Sequence, residues 1–239
     1  MGKFLCCLLF LLVSMQVQSV AQSEPHWTLN DVVSEATLGK TQKYVEFKIG
    51  SPAEREFIDH GITYSQYEIG KCRADLKSKK GEVVSVSMYV SADCDLDVSK
   101  RFGVPGAKLS QTTFENWTHV QPQSIRFIDP IMDHCNSCGE LPGMARAIFP
   151  SAHVTAWTAT VLTGGSYTDE GFSKGLDVWK EKLHQAGIDG QQLYDKHFKL
   201  PKKVCPQEEF DDLALRSIGK GRVTGIELRQ DTPGPFTCE

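Results

Sequence analysis

Residues 153–187 read HVTAWTATVLTGGSYTDEGFSKGLDVWKEKLHQAG. The first ten, His153 to Leu162, are apolar or β-branched at both parities, the pattern of a central strand covered on both faces. Gly164-Gly165 reads as a turn; no lysine followed by serine or threonine stands at the spacing of a phosphate-binding loop. From Asp169 to Ala186, the residues Phe172, Leu176, Trp179, Leu183 and Ala186 recur at steps of four and three. That spacing predicts an amphipathic helix with one buried stripe, closed by Gly187 as a left-handed cap. Trp157 and Trp179 fall on apolar faces and are expected in the core.

Working outward, Pro206 to Ile218 predicts a further helix, with Phe210, Leu213 and Ala214 inward and Gly219 as its stop. Val223 to Arg229 follows as a short last strand. Upstream, Gly139 to Phe149 reads as a short helix. Residues 92–134 hold Gly103, Pro105, Gly106, Pro122 and Pro130 with little periodicity, and read as a long surface insertion. Glu82 to Ser91 is the clearest strand, with Val84, Val86, Met88 and Val90 on one face. Lys43 to Ile49 alternates through Val45, Phe47 and Ile49, which predicts another strand. Ser51-Pro52-Ala53-Glu54 then has the form of a capping box with proline at the first helical position, predicting a helix to about His60. Strands alternating with helices argue for an α/β fold in layers.

The chain has 239 residues, 40% hydrophobic and 23% charged, with a formal net charge of −4 and a pI near 6.0. This is globular composition, and it lacks the basic balance of a duplex nucleic-acid binder. Lys3, the apolar run Phe4 to Val13 and small residues at Ser19 and Ala21 make residues 1–21 a signal peptide, too short for a stable span. The mature chain, 22–239, reads as one secreted, extracellular domain with no membrane segment. Cys6 and Cys7 leave with the leader. Cys72, Cys94, Cys135, Cys138, Cys205 and Cys238 remain, an even number that in an exported chain favours disulfide bonds, with fifteen pairings open. Asn116-Trp117-Thr118 is an N-glycosylation sequon. Two basic runs, Lys71 to Lys80 and Lys196 to Lys203, read as solvated faces.

Cys135-Asn136-Ser137-Cys138 is the motif richest in chemistry. A CxxC opening a helix makes thiolates suited to zinc or to redox exchange; in an exported chain disulfide bonding is the plainer use. The order of elements around it resembles the AID/APOBEC-like branch of the cytidine deaminase family, in its secreted members. The resemblance rests on Pro52-Ala53-Glu54, on SVSMYVSADC (85–94), on HCNSCGELPGMARAIFPSAHVTAWTATVL (134–162), on YTDEGFSKGLDVWKEKLHQAGI (167–188) and on CPQEEFDDLA (205–214). It implies a three-layer α/β/α domain with a mixed sheet of about five strands covered by helices on both faces. It further implies zinc held by Cys135 and Cys138, Glu54 as the proton shuttle for a zinc-bound water, and Tyr167 beside the substrate. The substrate would be cytosine in a nucleoside or a single-stranded nucleic acid. With the CxxC on zinc, Cys72, Cys94, Cys205 and Cys238 are left to form disulfides.

The pattern departs from the family in two places. Pro52 stands where the family has its histidine ligand, and proline has no donor atom for zinc. His60 and His134 are poorly placed as substitutes. About forty residues also separate YVSADC from the CxxC, where the family has almost none. Three readings therefore stand side by side: a zinc deaminase, a catalytically inactive, disulfide-bonded extracellular binding or defence protein on the same scaffold, and a thiol–disulfide exchange protein using Cys135 and Cys138. Glu54 itself has two, proton shuttle or capping-box glutamate.

Overall fold

Three two-residue turns organise the first half of the chain. The computed structural model describes residues 26–105, 108–118, 120, 126–130, 145–152, 157–164, 170–186 and 208–230. Strands β1 (Arg55–Asp59), β2 (Ile62–Ile69), β3 (Cys72–Lys79) and β4 (Glu82–Tyr89) form an antiparallel meander. Its turns are His60–Gly61, Gly70–Lys71 and Lys80–Gly81. His60, Gly61, Lys80 and Gly81 all have positive φ, the backbone that matches the twist of paired strands. The second half supplies β5 (Arg126–Pro130), β6 (Ala145–Ala152), β7 (Trp157–Gly164) and, beyond the helices described at 170–185 and 208–218, β8 (Val223–Gln230). β8 returns between β4 and β7, so the strands stand in the order β1-β2-β3-β4-β8-β7-β6-β5. The fold is thus mixed α/β, but the sheet corrects the expectation of about five mixed strands. It has eight strands among the described residues, and every pairing is antiparallel.

One register row crosses seven of the strands: Tyr67, Ala74, Met88, Ile226, Leu162, Ala147 and Phe127. All seven are buried, and directly paired residues share a face. Tyr67, at one end, gives its hydroxyl to Glu46 on α2 (Gln42–Ile49). Phe127, at the other, meets the Trp179 ring of α5 (Glu170–Gln185) at 5.9 Å. Among the described residues these two helices consequently cover the same face of the sheet. α6 (Glu208–Ile218) packs beside α5, where Gly175 lies so close to the Ser217 carbonyl that a Cβ there would collide with it. Asp211 of α6 also accepts the Phe127 N–H at 2.8 Å, tying the far edge of the sheet to the helical layer.

Several local expectations change places. Residues 42–49 are a helix. Val45 and Ile49 sit one turn apart and are buried, Phe47 is 66% exposed, Thr41 accepts the Tyr44 N–H, and Gly50 ends the helix at φ 84°. Residues 55–59, expected as helix, are the edge strand β1. In β4 an extra residue, Val84, sits between the Ser78↔Val83 and Lys77↔Ser85 pairs, so Val83 joins Val86 and Met88 on the buried face. Ala145–Ala152 is a strand where a helix was expected. The stretch read as a surface insertion contributes Cys94, Leu96, Val98, Val104, Leu109, Phe114 and Trp117 to the core, carried by α3 (Ser99–Phe102), a 3-10 turn at Leu109–Gln111 and α4 (Phe114–Thr118). The helices at 170–185 and 208–218 and the central strand at 157–164 agree with the periodicity. Leu162 and Thr163, on opposite faces of that strand, are both buried.

The opposite face carries a polar cluster that joins the two halves. Glu227 of β8 receives the Lys77 ammonium at 3.0 Å and the Ser85 hydroxyl at 2.6 Å, with Arg229 Nε at 3.6 Å. Burial pushes this carboxyl up, but the Lys77 and Arg229 charges and the Ser85 and Lys77 hydrogen bonds outweigh it and hold Glu227 below the ordinary 4.5. A depressed folded pKa contributes stability that is present above the unfolded value and lost as pH falls through the folded one. Glu227→Gln is expected to cost about 2 kcal/mol at neutral pH, since it leaves two cations facing a neutral amide. Denaturant melts of both proteins at stepwise lower pH should show that difference shrinking, because the wild type loses the interaction on protonation and the variant has none to lose.

Candidate binding cleft

The β2–β3 hairpin closes with Ile69 paired to Cys72, which places Glu68 opposite Arg73 and Gln66 opposite Asp75. These four line a cleft of about 600 Å³ together with Glu54, Lys71, Tyr89, Val90, Ser91 and the Cys72–Cys94 disulfide. The size suits a small-molecule site, though its lining is more polar than such sites usually are. One end is built by the disulfide and by a tight turn in which Ser91 and Cys94 exchange backbone hydrogen bonds at 3.0 and 3.2 Å. At the other end the Glu54 N–H donates to the Gln66 carbonyl at 2.8 Å, fixing Glu54 beside β2. Tyr89, 57% exposed, leans over Gly225, where any side chain would strike its ring.

Glu54 and Glu68 form a carboxyl pair. The hydrogen bond to Glu54 and the repulsion of its charge raise the Glu68 pKa, opposed in part by Arg73. Gln66 gives its amide to Asp75 at 2.7 Å, while its buried Oε1 has no hydrogen-bond partner among the described residues. Lys71 lies 3.8 Å from Asp93 in an exposed ion pair. On the helix side a second polar cluster braces β1 and β2. Gln42 Nε2 reaches Glu56 at 2.6 Å and Ser65 at 2.9 Å, and Tyr67 bonds Glu46. Burial, then the Glu46 charge and hydrogen bond, push the Tyr67 phenol well above its usual value.

The residues singled out from sequence fare unequally. Glu54 caps no helix: it lies in a bend directly before β1, at the lip of the cleft. Cys72 and Cys94 are joined to each other. Asn116 sits half-buried on α4, its Oδ1 accepting from the Thr113 N–H and hydroxyl at 2.9 and 3.0 Å. Cys135, Cys138, Tyr167, Cys205, Cys238, His134 and the leader at 1–21 lie outside the described residues. Among the described residues no group of three His, Cys, Asp or Glu side chains is placed to hold a metal ion, and no helix is long and apolar enough to cross a membrane. Sequence reading missed Glu68, Gln66, Asp75 and Tyr89. The signal was the Gly70 turn, which fixes their register once it is taken as a two-residue hairpin loop. No protein-family model, no curated protein and no solved structure matches the chain.

Proposed function

We propose that the chain is an exported, disulfide-braced binding protein that takes a small polar ligand in this cleft, with a cationic group of the ligand seated against Glu54 and Glu68. The carrying observation is the Glu54–Glu68 pair. A cation between the two carboxyls replaces their mutual repulsion with two favourable contacts. Arg73 and Lys71 on the same rim suit an anionic group at the ligand's other end. The reading does not draw on a cytidine-deaminase-like architecture; it rests on the antiparallel sheet and the cleft of the described residues. Nor does it route any step through zinc. Pro52 offers no ligand, and Glu54 is held against β2 by its amide, in a bend before β1, where a helix N-terminus was expected to present it.

The test uses secreted, glycan-trimmed protein, wild type and Glu54→Gln. Carboxyl carbon NMR should show Glu68 titrating above the ordinary glutamate range in the wild type and falling back toward it in Glu54→Gln. Arginine amide, as the cationic probe, should lower the Glu68 midpoint in the wild type and bind more weakly as pH drops through that midpoint. Cytidine and a cytosine-bearing single strand, with zinc supplied, should be deaminated no faster by wild type than by Glu54→Gln. Zinc-dependent deamination lost on that substitution would overturn the proposal in favour of the deaminase reading. A Glu68 midpoint indifferent to the probe would remove the cleft as the site.

A further inference from the structure

The outermost strand β1 is bare along its whole length. All five residues of Arg55-Glu56-Phe57-Ile58-Asp59 are exposed, Phe57 at 61% and Ile58 at 72%. Edge strands are ordinarily shielded by proline, by inward charge or by a covering segment, because their unpaired backbone groups template pairing. Here two large apolar side chains occupy the centre. Glu56, the charge that would guard them, is drawn toward the helical layer by Gln42 Nε2 at 2.6 Å and Ser65 Oγ at 3.1 Å.

The hairpin decides which backbone groups face outward. In a two-residue loop the flanking residues, Asp59 and Ile62, exchange both backbone hydrogen bonds. Alternation then makes Phe57 and Tyr64 a bonded pair. The N–H and C=O groups of Glu56 and Ile58 therefore point away from β2. A second antiparallel strand must bond to those two residues, and a twofold axis at Phe57 does this with another copy of the same strand. Glu56 of one copy pairs with Ile58 of the other, and the reverse.

That register is also complementary in charge. With Phe57 opposite its own counterpart, Arg55 faces Asp59 of the other copy, twice per dimer. Asp59 already holds its neighbour His60 at 2.7 Å, an exposed contact that leaves the strand extended. Phe57 stacks on Tyr64 with centroids 4.7 Å apart and rings 3° from parallel. The two copies would so continue one aromatic ladder, Tyr64–Phe57–Phe57–Tyr64, across the axis. We infer that β1 is a self-pairing edge, and that the protein dimerises through it, joining the eight described strands of each copy into one continuous antiparallel sheet. The occupant is a second copy of this chain, because the strand is complementary to itself in hydrogen bonding, charge and aromatic stacking in a single register.

Sedimentation velocity over a concentration series tests this on the full exported protein. Wild type is expected to show a monomer–dimer equilibrium. Arg55→Asp and Asp59→Arg each place like charges opposite each other twice, and each should weaken dimerisation about tenfold. The double variant restores the opposite pairs in reversed order and should return to within about twofold of wild type. Ile58→Pro removes an outward N–H without touching the β2 ladder and should abolish the dimer. Circular dichroism confirms that each variant is folded, and should Ile58→Pro fail to fold, the charge series stands alone. A protein monomeric at every concentration would overturn the inference. So would a dimer unmoved by both single charge reversals, or a folded double variant that stays monomeric.

Discussion

Trp179→Ala is expected to destabilise the protein by about 4 kcal/mol, whereas Trp179→Phe should cost about 1 kcal/mol. The indole is 1% exposed and forms part of the α5 stripe with Phe172, Leu176 and Leu183. Its ring lies edge-on to Phe127, 5.9 Å away and at 70°. Phe127 in turn meets Phe114 at 5.6 Å, so a run of three rings links α5, β5 and α4. Truncation to alanine leaves a cavity beside Phe127, and Gly175, one turn earlier on α5, is already in backbone contact with α6. Collapse into the cavity is therefore blocked, which places the cost toward the upper part of the usual range. Phenylalanine keeps the edge-to-face contact, and it also removes the indole N–H, which is buried without a hydrogen-bond partner among the described residues. Relief of that unmet donor offsets part of the lost volume. For a chain of this size the alanine variant should melt roughly 10 °C lower. Thermal denaturation of the three proteins checks the order, and a phenylalanine variant as damaged as alanine would show that the indole N–H is satisfied.

The helix that carries Trp179 was legible because sixteen residues leave only one period that fits. Shorter segments were not. Across residues 43–49, Val45, Phe47 and Ile49 satisfy a two-residue repeat, and Val45 and Ile49 satisfy a four-residue one equally well. Thr41 and Gly50, the cap at each end, decide for the helix. The next segment fails in the opposite sense. Ser51-Pro52-Ala53-Glu54 has the composition of a helix start, yet no helix forms, because Arg55–Asp59 finds five partners on β2. The better signal was Gly61, Gly70 and Gly81, each within a two-residue turn and set about ten residues apart. That interval accommodates eight-residue strands and nothing longer, which is the mark of an antiparallel meander. The position of β8 had no local signature. A strand that inserts between β4 and β7 is specified by Ile226 and Leu228 meeting the exposed edges of both halves, a long-range fit that periodicity does not encode.

The site was legible only through the turns. Glu54 drew notice as a deaminase shuttle, and it does lie in the cleft, but for a different physical reason: its amide is captured by Gln66. Glu68, Arg73, Gln66 and Asp75 are ordinary charged and polar residues in a linear reading. They become a site once the Gly70–Lys71 loop pairs them two by two. The cysteines could not be matched by spacing, since fifteen pairings were open and only the meander brings the start of β3 to the segment after β4.

Removing the Cys72–Cys94 bond should cost about 3 kcal/mol, the loop-closure value for its sequence separation of 22. The loss is expected to be uneven. Cys72 begins β3, whose inward residues Ala74, Leu76 and Ser78 stay buried without the bond. Beyond Cys94, Leu96 and Val98 are buried as well, so the chain is anchored on both sides. Among the described residues the turn between Ser91 and Cys94 is held otherwise by two backbone hydrogen bonds and the exposed Lys71–Asp93 pair, and exposed ion pairs contribute little. A Cys72→Ser, Cys94→Ser double variant should therefore lower the midpoint of global unfolding, while hydrogen exchange in the native state speeds up first at Ser91 to Cys94. Because that turn is the end wall of the cleft, arginine amide should bind the variant several-fold more weakly even where it remains fully folded. Unchanged exchange at Ser91 to Cys94 with unchanged affinity would mean that buried Leu96 and Val98 alone shape the wall, and that the disulfide serves global stability without organising the site.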